Sequence, residues 1–65
     1  MRMKVRNEIF SHGTIERALD DYRHLLTATV EYGEEYSEIH FLKCKFNEAL
    51  TARELENYMI GIENL

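Results

Sequence analysis

The stretch Glu38-Ile39-His40-Phe41-Leu42-Lys43-Cys44-Lys45-Phe46 decides the fold. It is the longest run with strand character and holds neither Gly nor Pro. Alternation puts Ile39 and Phe41 on one side and His40, Leu42, Cys44 and Phe46 on the other, so both sides are partly apolar. A strand of that kind belongs inside a sheet rather than at its rim.

The neighbouring segments supply its partners. Met3 to Phe10 alternates, with Met3, Val5 and Ile9 on one side and Lys4, Arg6 and Glu8 on the other. Its basic residues suit an edge strand, where they discourage unwanted pairing. Ala28 to Tyr32 alternates too and predicts a short strand. Gly33-Glu34-Glu35 then forms a turn in which the glycine is free to take positive φ, and an antiparallel hairpin leads into the long strand.

Two helices fill the rest. Ser11 caps the first, and Phe10 and Ile15 have the spacing of a hydrophobic staple across it. Ile15, Ala18, Leu19, Tyr22, Leu25 and Leu26 form its apolar stripe. After a connector at Asn47 to Leu50, Thr51 and Glu54 match a capping box, with Leu50 and Leu55 as the staple. The second stripe runs through Leu55, Tyr58, Met59, Ile62 and Leu65.

The expected fold is therefore α+β, in the order β-α-β-β-α, with both helices on one face of a three-stranded sheet. Placing the doubly apolar strand in the middle gives the sheet order 1-3-2, a split βαβ unit extended by a helix. With the second strand in the middle instead, the long strand would lie at an edge. The 65 residues (1–65) make one domain, and a chain this short has a small core.

Composition narrows the function classes. A single cysteine gives no internal disulfide and suits a reducing, cytoplasmic setting. The first residues are basic without an apolar run behind them, which is not a signal-peptide pattern. No window approaches the apolar length of a membrane span. Net charge is −4; Arg2, Lys4 and Arg6 contribute +3, so the remainder carries −7. That acidity opposes nonspecific binding to nucleic acid or anionic membrane.

Each candidate for chemistry has a plainer reading. Lys43 and Lys45 flank Cys44 but point away from it, so they do little to make it a reactive thiol, and it reads as a small apolar residue. His12, His24 and His40 lack metal-binding spacing, although His24 follows Asp20 by one helical turn. Glu31, Glu34, Glu35 and Glu38 cluster at the hairpin without the pattern of a calcium loop and read as a solvated turn. Tyr22, Tyr32, Tyr36 and Tyr58 read as core-edge residues, with none interleaved among Arg2, Lys4 and Arg6 as an RNA-binding sheet would want. No phosphate loop, catalytic triad or inward carboxylate pair assembles. The expectation is a non-enzymatic chain with no cofactor and no metal site.

On the expected fold, the sheet face away from the helices shows Lys4, Arg6, Thr29, Glu31, His40, Leu42 and Cys44. Leu42 and Cys44, with Phe46 near the rim, would form a modest apolar patch that needs a cover. Lys4, Arg6, His40, Leu42 and Cys44 are thus the predicted contacts for a protein or peptide partner. A homodimer through the same face or the first strand's edge is the alternative, and a nucleic-acid binder using Arg2, Lys4 and Arg6 is a remoter one.

A family resemblance points the same way. A basic start, Ile9-Phe10-Ser11 leading into a helix with Ile15, Ala18 and Tyr22, an acidic hairpin, and the late run Leu55-Glu56-Asn57-Tyr58-Met59-Ile60 together resemble the small D component of His-Xaa-Ser peptide systems. The family's late motif is matched at Leu55, Tyr58 and, conservatively, Ile60; the chain departs from it at Glu54, Glu56, Asn57, Gly61 and Ile62. The resemblance implies a small accessory protein beside a radical enzyme that modifies a His-Xaa-Ser-rich peptide. It implies no cofactor or catalytic residue for this component.

Overall fold

The computed structural model describes all 65 residues. Its elements are β1 (Arg2–Arg6), α1 (His12–Asp21), β2 (Leu26–Tyr32), β3 (Tyr36–Cys44) and α2 (Glu48–Glu63). The sheet order is β1-β3-β2, antiparallel at both pairings, so β3 is the central strand. One hydrophobic cluster draws on all five elements, with Ile15, Ile39, Leu55 and Met59 fully buried. Burying each such side chain contributes about 1.5–3 kcal/mol.

The first helix starts as its sequence demands. Ser11 Oγ accepts the Thr14 N–H at 3.2 Å, and Phe10 and Ile15 are both buried across the cap. It stops at Asp21, earlier than its apolar stripe suggested. Leu25 and Leu26 continue the helical spacing, but strand pairing claims them. The Leu25 carbonyl accepts the Lys45 N–H, and Leu26 lies opposite Cys44 as the first residue of β2.

Three local expectations give way to competing geometry. β1 ends at Arg6, whose carbonyl accepts the N–H of both Ile9 and Phe10. That turn sends Phe10 inward and leaves Ile9 53% exposed, although alternation had placed Ile9 inside. The second helix begins with Asn47 as cap, its Oδ1 accepting the Leu50 N–H at 3.0 Å. Thr51 is not the cap but lies buried one turn in, donating to the Asn47 carbonyl at 2.8 Å. Asparagine caps as well as threonine, and Glu48 in the first turn suits the positive end of the helix dipole. Gly33 has no positive φ. It is needed for room, because a Cβ there would stand 2.7 Å from the Tyr36 carbonyl oxygen.

The hairpin tip is tied to β1 through Asn7. Its side-chain N–H groups donate to the carbonyls of Gly33 and Glu34 at 2.7 and 3.1 Å. Its Oδ1 accepts the hydroxyl of fully buried Ser37 at 2.6 Å.

Candidate functional site

The face of the sheet away from the helices follows from the ladder register. Arg2, His40 and Thr29 form one cross-strand row; Lys4, Glu38 and Glu31 form the next; Arg6 and Tyr36 lie opposite each other at the end. Met3, Val5, Val30, Ile39 and Phe41 alternate with these and face the helices.

Lys4, Arg6, His40 and Leu42 occupy the open face, and Cys44 does not. β3 carries one extra residue where the register shifts. Thr27 lies opposite Lys43, but Ala28 lies opposite Phe41, so Leu42 has no partner. Such a bulge reverses the alternation beyond it. Cys44 therefore lies beside buried Leu26 and packs, half-buried, on the core. The sequence carries no Gly at the bulge to announce it. Leu42 stands 61% exposed without an apolar companion from β3. Phe46 belongs elsewhere: with Leu25, Asn47, Leu50, Thr51 and Glu54 it lines a shallow groove of about 400 Å³ at the end of α2. The apolar patch expected of Leu42, Cys44 and Phe46 is thus dispersed.

The charges on this face oppose those of the chain. Arg2, Lys4, Arg6 and Lys43 outnumber Glu31 and Glu38, giving +2 on a chain of net −4, so the remaining surface carries −6. Tyr36 holds two of the cations together. Lys4 Nζ lies 4.7 Å from its ring centroid and the Arg6 guanidinium 5.9 Å, within the range of cation–π attraction. An aromatic side chain therefore does stand among the basic residues of β1. It comes from the neighbouring strand, where only the register reveals it. Arg6 also pairs with Glu8 at 2.9 Å across solvent. His40 Nε2 and Glu38 Oε1 are 3.0 Å apart. That hydrogen bond, opposed by partial burial and helped by the charges of Arg2, His40 and Lys4, lowers the Glu38 carboxyl below its ordinary range.

Tyr32, Tyr58 and Glu63 are engaged in holding the fold. Tyr32 turns to the helix side, where its hydroxyl donates to Glu16 at 2.7 Å and its ring lies against His12. Burial first, then that bond, pushes the Tyr32 hydroxyl up to about 12. Tyr58 donates to Asp21 at 2.5 Å and packs on Tyr22, joining the two helices. Glu63 Oε2 accepts the Ser11 N–H at 2.8 Å, so a carboxylate from the end of α2 satisfies the first turn of α1. A negative group is favoured there by the dipole of α1. No three His, Cys, Asp or Glu side chains converge as a metal cluster would require, and every buried side-chain polar atom has a partner. No helix is long and apolar enough to cross a membrane.

A scan of protein-family models, a search of curated proteins and a search of solved structures each return no match to this chain.

Proposed function

We propose that this chain is a non-enzymatic binding module that takes a protein or peptide partner on its open sheet face. One observation carries the proposal: a net-positive face with a cation–aromatic cluster, bare of any layer, on an otherwise acidic molecule. Lys4, Arg6, His40 and Leu42 are the contact residues, joined by Arg2 and Tyr36. Elsewhere Asn7, Ser37, Tyr32, Tyr58 and Glu63 are committed to caps and inter-element bonds, which supports binding rather than catalysis as their setting. Resemblance to the small D component of His-Xaa-Ser peptide systems supports an accessory role in peptide maturation.

The test places a photo-crosslinking residue at Leu42 and, as control, at Ile60 on α2. A protein captured in the native host at Leu42 but not at Ile60 is then purified and its binding to the isolated chain measured. The role requires that this binding weaken in the Lys4→Glu, Arg6→Glu double variant. Equal capture from both positions, or binding indifferent to the double variant, would overturn it.

A further inference from the structure

The edge of the sheet narrows what that partner is. In an antiparallel ladder, alternate residues turn their backbone polar groups toward and away from the neighbour. The bonds from Phe41 N–H to the Met1 carbonyl and from Asn7 N–H to the Glu35 carbonyl fix the phase. Met1, Met3, Val5 and Asn7 turn inward to β3, and Arg2, Lys4 and Arg6 turn outward. The Arg6 carbonyl is capped by the turn at Ile9 and Phe10, but no turn, cap or side-chain bond takes up the N–H or C=O of Arg2 or Lys4. Arg2 and Lys4, whose outward backbone groups are free, thus carry cationic side chains of the open face, with Arg6 following them at the end of the same edge.

We infer that the outer edge of β1 accepts an extended acidic protein segment by strand addition, with carboxylates at alternate positions beside Arg2, Lys4 and Arg6. This rests on the open-face role proposed above and adds the partner's chemistry. Strand addition draws affinity from the main-chain ladder and selectivity from alternate side chains. On the added strand, the residues facing the open side would meet the three cations. Those between them would lie beside Met3 and Val5 on the helix side and so would be apolar. The recognised pattern is acidic–apolar–acidic–apolar–acidic.

Charge excludes the obvious competitors. Two copies paired antiparallel through β1 would set Lys4 against Lys4 and Arg2 against Arg6, and like charges directly opposite destabilise a pair. A nucleic acid offers phosphates but no peptide groups for the vacant ladder, and the −6 on the rest of the surface repels an extended polyanion. The outer edge of β2 has outward backbone at Ala28, Val30 and Tyr32, as the Gly33 N–H to Tyr36 carbonyl bond fixes. Its open-face side chains are Thr27, Thr29 and Glu31, which provide no cation.

The test titrates the chain with an end-capped Ser-Glu-Val-Glu-Val-Glu-Val-Ser peptide while amide shifts and hydrogen exchange are followed by NMR. The isomer Ser-Glu-Glu-Glu-Val-Val-Val-Ser and a short oligothymidylate serve as comparators. Strand addition slows exchange at the amides of Arg2 and Lys4 by about tenfold at saturation. The clustered isomer binds less well, and Lys4→Glu weakens the alternating peptide by about tenfold while leaving the spectrum dispersed. If the peptide moves Tyr36, His40 and Leu42 signals without protecting Arg2 and Lys4, open-face binding stands and strand addition falls. If no residue of the face or edge responds, or protection falls on β2 or the helices, the acidic-strand assignment is overturned while the crosslinking test still judges the broader role. Tighter binding of the oligothymidylate, or protection that grows with protein concentration alone, overturns it in favour of nucleic acid or a second copy.

Discussion

Ser37, Ile39 and Phe41 line the helix side of β3 at 0%, 0% and 6% exposure, while Leu42 on the other side stands 61% exposed. Tyr36, Glu38 and His40 share that second side and spend their polar and aromatic groups on surface contacts with Lys4, Arg6 and each other. The two sides of one strand therefore answer to different forces. The inner one is governed by exclusion of water and close packing, where every methylene counts. The outer one is governed by screened charges, whose pairwise contributions to stability are small. Substitutions on the inner side should change stability, and those on the outer side should change what the chain binds.

The largest expected effect is on the inner side. Ile39→Ala empties a fully buried position of the core and should cost about 2–5 kcal/mol in urea denaturation. Leu42→Ala, three residues along and on the opposite side, should stay within about 0.5 kcal/mol. Equal losses at the two positions would erase the distinction between the faces.

Next come the polar and steric fastenings of the hairpin tip. Asn7→Ala leaves the buried Ser37 hydroxyl without its 2.6 Å partner and frees the carbonyls of Gly33 and Glu34. An orphaned buried polar group costs about 1–3 kcal/mol. Adding Ser37→Ala to this variant should return part of the loss, because the orphan is then gone. Gly33→Ala should cost a similar amount, about 1–3 kcal/mol, since its Cβ meets backbone that has little room to yield.

The fold was largely legible because its period-2 and period-3.6 patterns are separated by strong local signals. The two-sided apolarity of Ile39 to Phe46 pointed to a central strand, and Ser11 with Phe10 and Ile15 located one helix start. What escaped depends on pairing rather than on pattern. Leu25 and Leu26 fit a helical stripe until β3 is there to pair with them. Thr51 with Glu54 matches a capping box, but Thr51 and Ala52 pack on the core and the helix starts a turn earlier, at Asn47, in what the sequence presents as a connector. The open face was legible at Lys4, Arg6, His40 and Leu42, whose strands are regular up to that point. Tyr36 beside Lys4 needed the cross-strand register, and the reversal of Cys44 needed the unmarked bulge at Leu42.

A smaller, pH-dependent effect lies at the contact between the helices. The Ser11 N–H, helped by Thr14 and opposed by some burial, holds the Glu63 carboxyl below the ordinary value of 4.5. The folded state thus binds that proton less readily than the unfolded state. The resulting stability is present above about pH 4.5 and is lost as pH falls through the lowered folded value. Glu63→Gln should therefore be less stable than the natural chain at neutral pH, with the two curves converging in acid. A constant gap across that range would mean that the Ser11 contact does not depend on the charge of Glu63.

The smallest stability effect gives the sharpest view of the bulge. Cys44 packs half-buried beside Leu26, whereas Leu42 projects into water from the same strand only two residues earlier. In an unbroken strand these two positions would share a face and an environment. The natural thiol should react slowly with a neutral disulfide reagent, because its access requires the β2–β3 end to open. Moving the thiol, in the variant Leu42→Cys with Cys44→Ala, should bring the rate close to that of a free cysteine peptide. Stability should change by about 1 kcal/mol or less, since the added thiol meets solvent and the alanine removes only one small half-buried atom. Similar rates at both positions would mean that β3 runs straight past Leu42. Cys44 would then return to the open face, beside the cations that the proposed partner must meet.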